Sequence, residues 1–260
     1  MRRLSPHLVR ITFGGPELAG MASGGLDQRI KVLLPLAEQE APCLPEEDRT
    51  FRGVRELPEE RRPLARTYTI RAHRPARAEF DVDFVLHGAT GPASAFAERA
   101  RPGDQVGIVG PNAEYDHAER FSGVEYRMDL LGGHALIVGD ETALPAIGSI
   151  LETLPAGTRA TTFVELPEAA DIPSLDVAAD VRFRWLPRGE FAAARGDSVL
   201  EEIRSQAWFD AGLYAWVCGE ASMVKAVRRQ LLDSGLDAAR VTFMGYWREG
   251  GAEGEPAGQG

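Results

Sequence analysis

Arg66-Thr67-Tyr68-Thr69-Ile70-Arg71 is the stretch from which the rest of the chain can be read. Polar and apolar residues alternate, and Tyr68, Thr69 and Ile70 favour extended backbone, so the hexapeptide reads as a β-strand. Arginine forks onto phosphates, tyrosine offers a flat ring with a hydroxyl, and threonine offers a short polar hook. Such a set suits a ligand that is both flat and anionic, a flavin nucleotide for example. The plainer alternative is an amphipathic strand with two solvated arginines.

The whole chain bounds what surrounds this strand. Its 260 residues allow one large domain or two ordinary ones. Hydrophobic residues make up 44% and charged residues 26%, the balance of a soluble globular protein. The formal net charge of -10 argues against nucleic acid as a partner, because duplex binding needs a basic face. An anionic ligand in a locally basic pocket remains compatible with it. No apolar run is long enough to span a membrane. Met1-Arg2-Arg3-Leu4-Ser5-Pro6 lacks the apolar core of a secretory signal, so a reducing cytoplasm is expected. The two cysteines, Cys43 and Cys218, form no Cys-x-x-Cys pair, which argues against a cysteine-held cluster as the redox centre.

In the first half, residues 7–14 and 29–34 read as strands, the second closed by Pro35. Residues 36–64 are rich in Glu, Pro and Arg and read as a surface loop with room for one short helix. Glu79 to Leu86 alternates cleanly and is a further strand. Gly91-Pro92-Ala93-Ser94 opens a helix running from Ala93 to Arg101, since proline belongs in a first turn. Residues 105–111 form a last short strand. Short strands with turn signals and one helix predict a small antiparallel β-barrel. From Gly132-Gly133 onward the pattern changes. Strands at 134–138, 159–166, 181–186, 213–218 and 241–246 alternate with helices at 144–154, 198–208 and 221–232. That is a doubly wound α/β domain, with ligands expected at the carboxyl edge of its strands. The expected division is residues 1–130, residues 131–250 and a disordered tail at 251–260, with the ligand cleft between the two domains.

The hexapeptide resembles the Arg-x-Tyr-Thr flavin signature of the ferredoxin–NADP reductase superfamily. Phe84-Val85-Leu86-His87-Gly88, Gly91-Pro92-Ala93-Ser94, Pro102-Gly103-Asp104, Gly139-Asp140-Glu141-Thr142-Ala143-Leu144-Pro145-Ala146 and Gly245-Tyr246-Trp247-Arg248 follow in order. Together they resemble the siderophore-interacting proteins, FAD-dependent ferric-siderophore reductases, over residues 5 to 250. The resemblance implies an N-terminal flavin-binding barrel followed by a nucleotide-binding domain. FAD would be held by Arg66, Tyr68, Thr69, Ile70 and Arg71, and by Val85 and His87 at the end of the next strand. Gly91, Pro92, Ala93 and Ser94 would seat its diphosphate, with Thr142, Ala143 and Trp247 contributed by the second half. His87 could equally close its strand on backbone.

For NADH or NADPH the resemblance points to Asp140, Thr142, Cys218, Gly219, Glu220 and Arg188. The turn at Gly139-Asp140-Glu141-Thr142 is not a dinucleotide glycine fingerprint, and Asp140 and Thr142 are also plausible helix caps. Cys218 is equally a small buried hydrophobe. Arg188, or else Arg195, Lys225 or Arg228, would meet a pyrophosphate or a 2′-phosphate. Lys31 and Arg248 would offer positive charge to an anionic ferric siderophore, and Tyr246 or Trp247 would cover the flavin. No catalytic acid or base and no protein-held metal is called for, because hydride enters the flavin and electrons leave it singly. A monomer is expected. Two alternatives stand beside this reading. One is a general flavin reductase, or a reductase arm that feeds a ferredoxin-like or oxygenase partner; in either reading a protein could stand in for the nicotinamide as electron donor. The other is a siderophore-binding protein without turnover.

Overall fold

The computed structural model describes residues 1–37, 39–86, 91–113, 123–190, 194–206 and 212–250. The chain forms two compact units, one of residues 1–3 and 8–124, the other of residues 4–7 and 125–260. The division falls a few residues before the Gly132-Gly133 shift for a local reason. Tyr126 packs edge-on against Tyr214 at 5.1 Å, and the Arg127 N–H donates to Tyr214 Oη at 2.9 Å, so this segment belongs to the second unit.

The first unit carries two antiparallel sheets. In one, β1 (Arg2–Ser5), β2 (Leu8–Gly14), β6 (Glu79–Val85) and β5 (Ala72–Arg74) lie in that order. In the other the order is β4 (Leu64–Thr69), β3 (Arg29–Leu34) and β7 (Gly107–Val109). The expected barrel is realised as these two sheets closing on one apolar core. Val9, Ile11, Phe80, Val82 and Phe84 enter it from the first sheet, Ile30, Val32 and Leu34 from the second, and Phe96 and Ala97 from the helix Pro92–Arg99. That helix starts on proline at Pro92. Strands β1 and β5 lie outside the sequence reading, since each is too short for an alternation to show. The loop at 36–64 does hold a short helix, Phe51–Glu56.

Strand β6 shows how the sequence pattern is used. Its alternation predicts one wet face, yet Asp81 and Asp83 are 6% and 7% exposed. The register explains why this is tolerated. Arg10 stands opposite Asp83 and forks onto it at 2.6 and 2.8 Å. Thr12 stands opposite Asp81 and donates to it at 2.8 Å, while Arg74 from β5 adds two bonds at 2.6 and 2.9 Å. Burial alone would raise the Asp81 pKa, but the Arg74 and Thr12 bonds outweigh it and hold the carboxyl below its ordinary value.

The second unit has five parallel strands, ordered β10 (Asp180–Pro187), β9 (Arg159–Leu166), β8 (His134–Gly139), β11 (Leu213–Glu220) and β12 (Val241–Trp247). Continuous apolar runs are what a sheet covered on both faces requires, and every residue of β11 is buried. Val199 and Ile203 of the helix Asp197–Arg204, and Val224, Val227 and Leu231 of the helix Ala221–Asp233, pack with Leu136, Val138, Phe163 and Val217. The helix Leu144–Thr153 buries most of its length. The chain runs outward from β8 through β9 to β10, then returns to β11 on the other side of β8. The strand order therefore reverses between β8 and β11, the place where open α/β sheets bind ligands beyond their carboxyl ends.

Candidate functional site

In the first unit the register sorts the hexapeptide by face. Tyr68 is paired with Ile30 and Arg66 with Val32, so Arg66 and Tyr68 share one face of the sheet. Tyr68 is half-buried and its ring packs on Phe84, centroids 4.3 Å apart and tilted by 44°. Arg66 Nη1 donates to its neighbour's carbonyl, Ala65 O, at 3.0 Å. Thr69 is 6% exposed, Ile70 is buried and Arg71 is half-buried. The Arg71 N–H donates to Asp81 O at 2.8 Å, and the Ile70 N–H to Gln28 O at 2.9 Å, so the strand end is held on both sides. Val85 ends β6 half-exposed. His87 lies outside the described residues.

The helix Pro92–Arg99 begins at Gly91 with no side-chain cap. An uncapped helix start presents backbone N–H groups and the positive end of the helix dipole, the donor set an anionic diphosphate uses. Ser94, in the first turn, is 7% exposed. The donor chemistry of this unit thus fits FAD, with Arg66 and the helix start able to meet phosphate and Tyr68 able to meet a flat ring, while Thr69, paired with Arg29, alternates onto the opposite face.

Lys31 falls on the other face of β3, opposite Thr67, to which its Nζ donates at 2.6 Å. The ammonium also lies over the Phe51 ring, 5.1 Å from its centroid. Burial first and the Arg29 charge second lower its pKa. Lys31 is therefore directed away from the face that Arg66 and Tyr68 share.

In the second unit the residues singled out from sequence meet at the carboxyl edge of the sheet, around the reversal. Asp140 follows β8 and is wholly buried. Its Oδ1 accepts from Thr142 N–H at 2.9 Å and Thr142 Oγ1–H at 2.5 Å. Its Oδ2 accepts from Glu220 N–H at 2.7 Å and Trp247 Nε1–H at 2.9 Å. One carboxylate thus joins β8, β11 and β12. Burial first, and the neighbouring Glu141 charge second, push its pKa up. The helix that follows is capped at Ala143, so the capping role considered for Asp140 and Thr142 is not the one they play. Glu220 does cap a helix: its Oε2 accepts from the N–H groups of Ser222 and Met223 at 2.6 and 2.9 Å.

Gly219 is required between these groups. Its φ is +142°, and a Cβ there would come within 2.8 Å of Asp140 Cγ and 2.9 Å of Met223 Cε. Cys218 is 1% exposed, so its thiol is packed as a small hydrophobe. Trp247 is half-buried, with the Arg195 guanidinium 4.8 Å from its ring centroid. Arg248 is exposed.

Arg188 is placed differently from the phosphate ligand expected. Its Nη1 and Nη2 both bind Glu141, at 2.8 and 2.9 Å, and Arg195 Nη1 reaches the same carboxylate at 3.3 Å. Burial opposes the charge of Glu141, but the Arg188 bonds win and its pKa falls below the ordinary value. Glu165 at the end of β9 accepts from Gly196 N–H at 2.7 Å and stands 3.9 Å from Arg188. Glu141 and Glu165 were missed as organising residues. Their signal was visible as acids set against apolar runs, in Ile137-Val138-Gly139-Asp140-Glu141 and Phe163-Val164-Glu165-Leu166, where an acid is buried only if paired.

Comparison with known proteins bears on both units. Residues 1–115 match the siderophore-interacting FAD-binding domain, and residues 133–250 match the siderophore-interacting protein domain. The crystal structure of the siderophore-interacting protein SipS from Aeromonas hydrophila shares 34% identity over 97% of this chain and 90% of that one, with a TM-score of 0.76. The chain belongs to the siderophore-interacting protein family. Among the curated relatives that it matches, some carry activity names. Ferric vibriobactin reductase ViuB of Vibrio cholerae is 28% identical over 95% of this chain and 86% of its own length. The NADPH-dependent ferric-chelate reductase of Escherichia coli is 28% identical over 95% of this chain and 89% of its own length. Among the described residues no helix is long and apolar enough to cross a membrane.

Proposed function

We propose that this protein reduces the iron of ferric siderophores, with FAD as its resident cofactor and NADH or NADPH as the electron source. The observation that carries the proposal is the register of β4 against β3. It sets Arg66 and Tyr68 on one face, in a unit whose helix start is uncapped, within a family whose first domain is FAD-binding. When bound, FAD would supply the redox chemistry, which takes up the electron pair of one hydride and releases its electrons singly. The chain's own residues bind and orient. Arg66 and the backbone around Ala93 meet phosphate charge, Tyr68 presents its Phe84-backed ring, and Ser94 supplies a hydroxyl contact. Ile70, Arg71 and Val85 line the strand ends of the first unit.

In the second unit Asp140 holds Thr142, Glu220 and Trp247 in one fixed arrangement, and Gly219 lets the end of β11 pass between Asp140 and Met223. No proton donor is needed, because iron changes only its charge. Reduced iron is held weakly by hard oxygen ligands and leaves the chelate. Arg248, exposed at the end of β12, supplies cationic attraction for an anionic chelate, and Lys31 does so on its own face of the first unit. The names of the Vibrio and Escherichia relatives support this reading. The test is anaerobic. The purified protein is reduced with nicotinamide, then mixed with a ferric siderophore while Fe(II) is trapped by a chromogenic chelator. Stoichiometric Fe(II) supports the proposal, and reduced flavin that the chelate leaves unchanged refutes it.

A further inference from the structure

The carboxyl edge of the parallel sheet carries a charge pattern that bears on which nicotinamide is accepted, an inference that rests on the nicotinamide reading above. A donor's adenosine end belongs beyond the strands on one side of the reversal. There a cation marks an NADP-type 2′-phosphate, and an acid goes with the ribose hydroxyls of NAD. In this sheet that side is β9 and β10, which lie together beyond β8. The loop after β9 opens Pro167-Glu168-Ala169-Ala170-Asp171 and carries no lysine or arginine; of these acids Asp171 is buried on Ser5 and His7. The segment after β10 reads Arg188-Gly189-Glu190-Phe191-Ala192-Ala193-Ala194-Arg195, so its cations are Arg188 and Arg195.

Both are committed. Arg188 forks onto Glu141 with both terminal nitrogens, and Arg195 shares that carboxylate while its guanidinium lies over Trp247. Glu165, 1% exposed, stands at the end of β9 beside them. Lys225 and Arg228 belong to the helix after β11, on the opposite side of β8, and Arg228 lies over Phe243 at 4.4 Å. A 2′-phosphate brings up to two further negative charges and needs a guanidinium fork turned toward it. Here the Arg188 fork is turned inward onto Glu141, and Arg195 gives the same carboxylate one nitrogen at 3.3 Å.

We propose that this edge selects NADH and rejects NADPH, and that Glu141 enforces the choice by holding Arg188 and Arg195 inward. The preference would set this chain apart from the NADPH-dependent relative of Escherichia coli. Glu141 acts here as a positioning residue, through the two arginines.

The experiment compares binding of 5′-AMP and 2′,5′-ADP to the FAD-loaded protein by calorimetry, beside kcat/KM for NADH and NADPH with a ferric chelate. The fragment arm reads recognition without turnover. The wild type should bind 5′-AMP at least about tenfold more tightly than 2′,5′-ADP, and use NADH over NADPH by a similar factor. Arg188→Gln should leave the 2′,5′-ADP affinity as weak as before. Glu141→Gln should narrow the gap by releasing the forks. If Glu141→Gln does not fold, the wild-type ratio and Arg188→Gln decide. Tighter binding of 2′,5′-ADP than 5′-AMP, abolished by Arg188→Gln, overturns the inference while leaving the reductase reading intact. Neither fragment binding and neither nicotinamide reducing the flavin would remove the nicotinamide reading and this inference with it.

Discussion

Replacing Gly219 by alanine tests the second unit's site at its tightest point. The backbone there has φ of +142°, a region that L-residues avoid. Holding alanine in it costs about 1–3 kcal/mol. The new methyl would also sit 2.8 Å from Asp140 Cγ and Oδ2 and 2.9 Å from Met223 Cε. Asp140 cannot retreat cheaply, since its four accepted hydrogen bonds tie it to Thr142, Glu220 and Trp247. Overpacking of this kind adds about 1–3 kcal/mol. The expected loss is thus about 2–6 kcal/mol from a unit whose stability is on the order of 5–15 kcal/mol. Urea unfolding followed by tryptophan fluorescence measures it, because Trp216 and Trp247 both belong to this unit. A Gly219→Ala protein within about 0.5 kcal/mol of the wild type, the range of an ordinary surface change, would refute this account of the turn.

Further outcomes are expected elsewhere. Arg66→Ala and Tyr68→Ala should each lower the flavin:protein absorbance ratio of the purified protein, and full retention in both would count against their placement. Arg10→Leu leaves the buried Asp83 without its fork and should cost about 3 kcal/mol in denaturant unfolding; a neutral result would show that the pair contributes nothing net. Asp171 accepts from Ser5 Oγ, His7 N–H and the His7 ring at 2.6, 2.9 and 2.7 Å. Burial would raise its pKa, but these bonds hold it below the ordinary carboxylate value. A depressed folded-state pKa means stability that is present above the unfolded pKa and lost as pH falls through the folded one. Asp171→Asn should flatten the acid limb of the stability curve below about pH 4, and an unchanged limb would assign that limb to other groups. Arg248→Ala should raise KM for an anionic ferric chelate more than for a neutral one, and equal effects on both would exclude a charge role.

Much of the fold was legible because its signals are local. The alternation of Glu79–Val85, the unbroken apolar runs of β8 and β11 and the proline at Pro92 each reflect a periodicity or a steric rule confined to a few residues. What escaped depends on pairing across long sequence separations. Nothing in β6 alone says that Asp81 and Asp83 are buried, because Arg10, Thr12 and Arg74 make that possible from two other strands. The candidate site divides in the same way. Asp140, Thr142, Gly219, Glu220 and Trp247 were named from the family resemblance, and the structure gathers them around one carboxylate. Arg188 was also found, but its expected phosphate role assumed an available guanidinium. Its actual partner, Glu141, lies 47 residues away in sequence. The face on which Lys31 falls follows from its pairing with Thr67, a register that no single strand encodes.

The central claim is tested most directly by a visible spectrum of the purified protein, taken before and after anaerobic addition of NADH and then of a ferric siderophore. The account predicts a flavin spectrum that NADH bleaches and the chelate restores, with Fe(II) appearing in step in the presence of a ferrous trap. A bleached flavin that stays bleached when the ferric siderophore is added, with no Fe(II) formed, would contradict it.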